Sequence, residues 1–151
     1  MSGPARRVLP PVWLLMALVA SFALDRYSPI ARLVSAPWKY LGYIAMALGA
    51  VMAITAAQAF RRASTPVVPF EHATTLVTGG WFRVTRNPMY LGLTLILFGV
   101  ALIDGTLGAF LPLPVFVGIL HWRFIRAEEH FLEGIFGEQY RTYRTRVRRW
   151  W

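Results

Sequence analysis

Residues 88–120 read PMYLGLTLILFGVALIDGTLGAFLPLPVFVGIL and carry one charged side chain, Asp104. At about 1.5 Å of rise per helical residue the run is much too long for one crossing of a hydrocarbon layer of about 30 Å. Asp104-Gly105 falls near its middle. The pattern predicts a tight helical hairpin with arms at 88–103 and 107–122. Both arms are short, which puts their ends in the membrane interface. Pro112 and Pro114 are expected to kink the second arm, because each removes a backbone donor.

Two further apolar runs precede the hairpin, at 8–24 and 40–60. In the first, Pro10 and Pro11 fall where a missing N–H costs least, and Asp25, Arg26 and Pro29 end it. Arg6 and Arg7 precede it as in a secretory leader, and Ala20-Ser21-Phe22-Ala23 mimics a cleavage site. The apolar stretch is nevertheless longer than such leaders use, and a retained span is the preferred reading. In the second run Ala45, Gly49, Ala53 and Ala57 recur every four residues. This is either a seam for close helix approach or the ordinary abundance of alanine in such helices. Residues 61–87 form a polar, irregular loop. From 123 to 151 the apolar residues Phe131, Leu132, Ile135, Phe136, Tyr140, Tyr143 and Val147 recur at helical spacing among arginines. They predict an amphipathic surface helix, broken near Gly137.

The expected fold class is therefore all-α: one domain over residues 1–151, an integral membrane bundle of about four transmembrane helices plus the C-terminal amphipathic helix. The chain is 56% hydrophobic with a formal net charge of +9. In a soluble protein that charge would point to nucleic acid. Here the arginines border apolar runs, so membrane lipids with anionic headgroups are the expected partner and nucleic acid is not. With four spans, thirteen basic residues fall on one side and three, Arg26, Arg32 and Lys39, on the other. This predicts that both termini and the 61–87 loop face the cytoplasm. There is no cysteine, which removes disulfides, thiolate metal sites and cysteine nucleophiles. His72, His121 and His130 lack metal-ligand spacing, and no metal is expected.

Two local features carry candidate chemistry. Asn87-Pro88 suits a helix start, with Asn87 as N-cap and Pro88 first in the helix. Free N–H groups there, with Arg86 beside them, favour a carboxylate or phosphate; a plain capped helix is the alternative. Glu128-Glu129 follows the last span. Adjacent helical residues point about 100° apart, so one is expected to face the bundle and the other water or an arginine. As acceptors they suit ribose hydroxyls or an ammonium group, or else they form a solvated pair facing Arg123, Arg126 and the basic tail. Gly79-Gly80 allows a tight turn after Leu76-Val77-Thr78. Neither the P-loop nor the G-x-G-x-x-G pattern of soluble nucleotide folds is present.

Leu76-Val77-Thr78-Gly79-Gly80, then Arg86-Asn87-Pro88-Met89-Tyr90-Leu91-Gly92, then Glu128-Glu129, then Phe136-Gly137-Glu138-Gln139-Tyr140 with Tyr143 and Val147 form an ordered set. In order and spacing the set resembles the isoprenylcysteine carboxyl methyltransferase and phospholipid methyltransferase superfamily. The resemblance covers roughly residues 66–147. It implies a membrane-embedded methyltransferase that uses S-adenosyl-L-methionine in a cytoplasmic pocket roofed by the C-terminal segment. A lipophilic small molecule or lipid would enter from the bilayer as acceptor. By position the resemblance implies cofactor contacts from Thr74, Leu76, Val77, Phe82, Asn87, Pro88, Tyr90, Glu128 and Glu129. Phe82 stands where the family has a tyrosine. Eukaryotic prenylcysteine enzymes carry histidine where this chain has Thr74 and Asn87, and their acceptor-site arginine falls at Phe124.

Methyl transfer needs alignment and exclusion of water, with no covalent enzyme intermediate. Arg86, Arg123 and Arg126 are candidates to hold an acceptor carboxylate, a headgroup phosphate or the cofactor carboxylate. For an amine acceptor, Tyr90, Glu129 or His130 is a candidate base. The catalytic candidates are thus Arg86, Tyr90, Glu129 and Arg126. The acceptor's nucleophile, whether carboxylate, thiol or amine, stays open, as does the oligomeric state. The rival readings are a non-catalytic helix bundle and a sterol-reductase-like enzyme using NADPH.

Overall fold

Each chain segment that the sequence marks as apolar and uninterrupted folds as a helix, and no strand forms among the described residues. The computed structural model describes residues 9–66 and 73–150. Arg6, Arg7, the first residue of the expected 8–24 span, Pro69, His72 and Trp151 lie outside them. Helix α1 is Pro10–Tyr27, with prolines in its first turn. A single turn, Trp38–Tyr40, leads into α2, Leu41–Arg62. Helix α3 is Pro88–Asp104. After the hairpin come α4, Leu107–Phe110, and α5, Pro112–Ile119. A π-helical stretch, Leu120–Ile125, continues into α6, Arg126–Phe136. Helix α7, Glu138–Arg146, ends the helical part.

Two of these stretches, Trp38–Arg62 and Leu107–Phe136, are long and apolar enough to cross a membrane. That is fewer than the four expected. Helix α3 is apolar but shorter, and α1 carries two prolines at its start and Asp25-Arg26 near its end. The expected second arm of the hairpin does not stop at Trp122 but runs on through the π stretch into α6. The outer faces of α1 and α2 bear Leu15, Met16, Val19 and Phe22, and Ile44, Val51 and Ile54, all exposed. Contiguous apolar faces of this extent suit lipid rather than water.

Helix α3 is the centre of the bundle. Apolar on all sides, it is covered on one flank by α2 and on the other by α1, α4 and α5. Leu97 packs with Leu14 of α1, Phe116 of α5, and Leu120, Phe124 and Ile125 of the π stretch. Between α2 and α3 the backbones nearly touch. A Cβ built on Gly92 would lie 2.6 Å from the Gly49 carbonyl oxygen, and one on Gly99 would lie 2.5 Å from that of Gly42. Lipid tails are as apolar as leucine, so such close backbone packing, not hydrophobic exclusion, holds these helices together. The expected small-residue seam is real at Gly49 and Ala53, and it extends to Gly42.

The hairpin turn is tied to the 28–37 loop. Leu33 and Val34 N–H groups donate to the Gly105 carbonyl at 2.7 and 3.0 Å, and Leu107 N–H donates to the Ala31 carbonyl at 2.7 Å. Thr106 donates to Asp25 Oδ1 at 2.7 Å, and Ser21 donates to the Ala109 carbonyl at 2.8 Å. Asp104 is half-buried, with one carboxyl oxygen enclosed. The helix is interrupted at Leu111, between α4 and α5, where Pro112 and Pro114 deprive the ladder of donors, while Leu111 itself keeps helical dihedrals.

Candidate functional site

At the end of the bundle remote from the hairpin turn, the start of α3, the 73–83 loop, α6 and α7 enclose a cavity of about 440 Å³. That is within the range of about 300–1,000 Å³ typical of small-molecule sites. Its apolar side is built by Leu9, Pro10 and Pro11 at the start of α1 and by Ala53, Ile54 and Ala57 of α2. Leu9 and Ile54 are exposed on the outer face, so this wall adjoins the apolar surface. The opposite end is polar, with Arg86, Asn87, Tyr90, Glu128, Glu129, Tyr140 and Tyr143.

Tyr90 is the first-turn residue of α3 that faces inward, and its hydroxyl donates to Glu128 Oε1 at 2.7 Å. Among the described residues no donor reaches the other Glu128 oxygen. Glu129 is the more buried of the two acids, at 8% exposure. It pairs with Arg86 at 3.1 Å and takes two hydrogen bonds from Arg149, at 2.8 and 2.7 Å. As the expectation of one acid toward the bundle and the other toward water or an arginine had it, Glu128 meets Tyr90 of α3 and Glu129 meets two arginines; both acids line the cavity. The π stretch just before them widens the helical turn and shifts the phase of all that follows, a device common at functional sites. The Arg86 and Glu129 side chains keep 9% and 10% of their surface exposed. A pair this buried is costly to break, by about 3–5 kcal/mol when one partner is removed.

Asn87 occupies the N-cap position of α3, but its side chain does not cap the helix. Its amide instead donates to the Arg149 carbonyl at 2.9 Å, an acceptor that Thr85 shares at 3.0 Å. The tail past α7 has taken the donor that the helix start left over. Gly137, with φ of 50° and ψ of −119°, sits in backbone space open in practice to glycine alone, and it folds α7 back from α6. Glu133 bridges that bend to Arg141 and Arg144. Tyr143 then donates to the Phe82 carbonyl at 2.6 Å, fixing the 80–83 turn. Burial raises the phenol pKa of both Tyr140 and Tyr143, with Glu129 adding to the first and Tyr140 to the second, so both stay neutral, and the Tyr140 hydroxyl accepts from Arg86 Nη1 at 3.4 Å.

Of the residues singled out in the sequence, Leu76, Val77, Phe82, Arg86, Asn87, Pro88, Tyr90, Glu128 and Glu129 line the cavity. Thr74 and Arg126 are not in its wall. Thr74 is bound to Thr65, whose hydroxyl also accepts the N–H groups of Thr74 and Thr75 at 3.0 and 3.1 Å. Arg126 is exposed, as are Arg123 and His130. Tyr140 and Tyr143 line the cavity without having been proposed for it, and Arg149, outside its wall, binds Glu129 and Asn87. The tyrosines were visible as an i, i+3 pair on the amphipathic helix. Arg149 is one of several tail arginines, and only its contacts distinguish it.

A protein of Haemophilus influenzae (strain ATCC 51907 / DSM 11121 / KW20 / Rd), called only an uncharacterized protein, is 42% identical over 62 residues, covering 41% of this chain and 98% of that one. No solved structure matches the chain. The family model for phospholipid methyltransferases matches residues 38–139. That match spans α2, α3, the acidic pair and the start of α7. With its apolar helices the chain is a membrane protein, and it belongs to the phospholipid methyltransferase family.

Proposed function

We propose that this protein transfers a methyl group from S-adenosyl-L-methionine to a lipophilic or membrane-associated small acceptor that enters the cavity from the bilayer. The observation that carries this reading is the Tyr90–Glu128 hydrogen bond at the end of an apolar cavity. It joins the Asn87-Pro88-x-Tyr90 and Glu128-Glu129 segments, which a purely structural bundle has no reason to bring together.

The cavity's groups fit the cofactor. The free oxygen of Glu128 suits ribose hydroxyls. Arg86 Nε is buried with no hydrogen-bond partner among the described residues, a donor suited to a ligand carboxylate. The Leu76–Val77 backbone suits an adenine edge, and the Phe82, Tyr90 and Tyr143 rings suit a sulfonium. When bound, the cofactor supplies an electrophilic methyl group. The chain's own part is to align and to exclude water. Pro10, Pro11, Ala53 and Ala57 offer a wall without charge for the acceptor's apolar part. The domain is read as four crossings, α1, α2, α3 and the helix from α4 into the π stretch, with the 123–151 segment as a cover. The thirteen-to-three division of basic residues supports a cytoplasmic cavity and cytoplasmic termini.

The test is calorimetry of the purified protein in detergent against S-adenosylhomocysteine and against NADPH. Saturable binding of the first and none of the second is expected. The reverse would make the protein reductase-like, and binding of neither would leave a non-catalytic bundle.

A further inference from the structure

Glu129 is held from two sides. Arg86, just before α3, reaches its Oε1 from one side. Arg149, beyond α7, grips both oxygens through Nε and Nη2 from the other. A buried carboxylate engaged in this way has little accepting capacity left for a ligand. It serves as the counter-ion shared by Arg86, in the cavity wall, and Arg149, outside it. The backbone of the same tail is bound a few residues away. Arg86 N–H donates to the Arg148 carbonyl at 2.9 Å, and Thr85 and Asn87 both donate to the Arg149 carbonyl. Trp150 packs against the core around Leu14, Tyr90 and Leu97. Side chain, backbone and ring thus dock the tail on the one segment, 85–90, that presents Arg86, Asn87 and Tyr90 to the cavity.

We propose that Arg149 is a positioning residue for this site: through Glu129 it sets the place of Arg86, and through its carbonyl that of Asn87. The inference rests on the cavity being the methyl-donor site. It divides the acidic pair, with Glu128 facing the ligand and Glu129 holding the protein together around it. Arg149 acts without touching a reacting atom. The bland alternative is one more tail arginine facing lipid headgroups, which has no need of a bidentate bond to a buried acid.

The experiment uses the full chain in detergent, with Arg149→Gln, Arg149→Lys, Glu129→Gln and the Arg149→Gln/Glu129→Gln double variant. Arg62→Gln, at the exposed end of α2, is the control. Two quantities are read: the rate of tryptic cleavage after Arg148, followed by mass spectrometry without ligand, and the affinity for S-adenosylhomocysteine. A docked tail resists the protease, so Arg149→Gln should be cut faster than the parent and bind about tenfold more weakly. Arg149→Lys keeps the charge without the fork and should fall between. The double variant should bind no more weakly than the weaker single, because both changes break one contact. Parental cleavage and affinity in both Arg149 variants would overturn the proposal, and so would losses that simply add in the double. If Arg149→Gln does not fold, Arg149→Lys decides: faster cleavage supports the proposal and parental cleavage overturns it. If the parent itself fails to bind S-adenosylhomocysteine, the donor-site reading falls, while cleavage still reports whether Arg149 holds the tail.

Discussion

Replacing Glu128 by glutamine preserves its shape and removes its charge while Tyr90 keeps an acceptor. The expected result is a loss of about 1.5–3 kcal/mol in S-adenosylhomocysteine binding, or tenfold to a hundredfold, with little change in thermal unfolding. Glu129→Gln should behave differently. It strips the largely buried Arg86 and the part-exposed Arg149 of their counter-ion, so its unfolding midpoint should drop as well. Equal stability in the two variants would argue against that division. The two acids were legible in the sequence as a pair worth attention. Which of them would be more buried was not, because the answer depends on the π stretch at Leu120–Ile125, which no residue pattern announces. Asn87 shows the same limit. Its place at the head of α3 was readable, but its bond to the Arg149 carbonyl depends on a partner 62 positions away.

Among elements, the α2–α3 seam makes the clearest demand. Gly92→Val puts a branched side chain where even a Cβ would sit 2.6 Å from the Gly49 carbonyl. It should destabilise the protein by about 1–3 kcal/mol or more, read as a lower unfolding midpoint in detergent. Gly134, on the exposed face of α6, has open space around it, with nothing within 4 Å of where a Cβ would sit. Gly134→Ala should instead stabilise by about 0.5–1 kcal/mol, since only helix propensity changes. If both variants melted alike, the seam would not be what holds α2 to α3. The hairpin, the interruption at Leu111 and the break at Gly137 could all be read from one chain because prolines, glycines and an isolated charge act locally. The run from the second arm into α6 could not. Arg123 and Arg126 look like an end to the apolar helix, yet the long arginine side chains stay exposed while the backbone continues.

For the whole molecule, orientation is the open quantity with the simplest check. The chain has no native cysteine. A Thr142→Cys variant on exposed α7 should react only with reagent on the cytoplasmic side, and Ser35→Cys in the 28–37 loop only from the other side. Labelling of Thr142→Cys from outside would reverse the proposed topology. The general architecture was legible because the bilayer's thickness fixes helix length. The number of crossings was less so, since α1 and α3 are near the shortest that can span. The α2–α3 seam also has a mechanical consequence. Two helices joined backbone to backbone cannot slide or splay without losing contact along their length, so they behave as one stiff plate. That plate carries Ala53, Ala57 and Tyr90 of the cavity wall. The glycine-seamed plate is therefore the stiff side of the cavity wall, and any change in the cavity's shape has to come from elements other than α2 and α3.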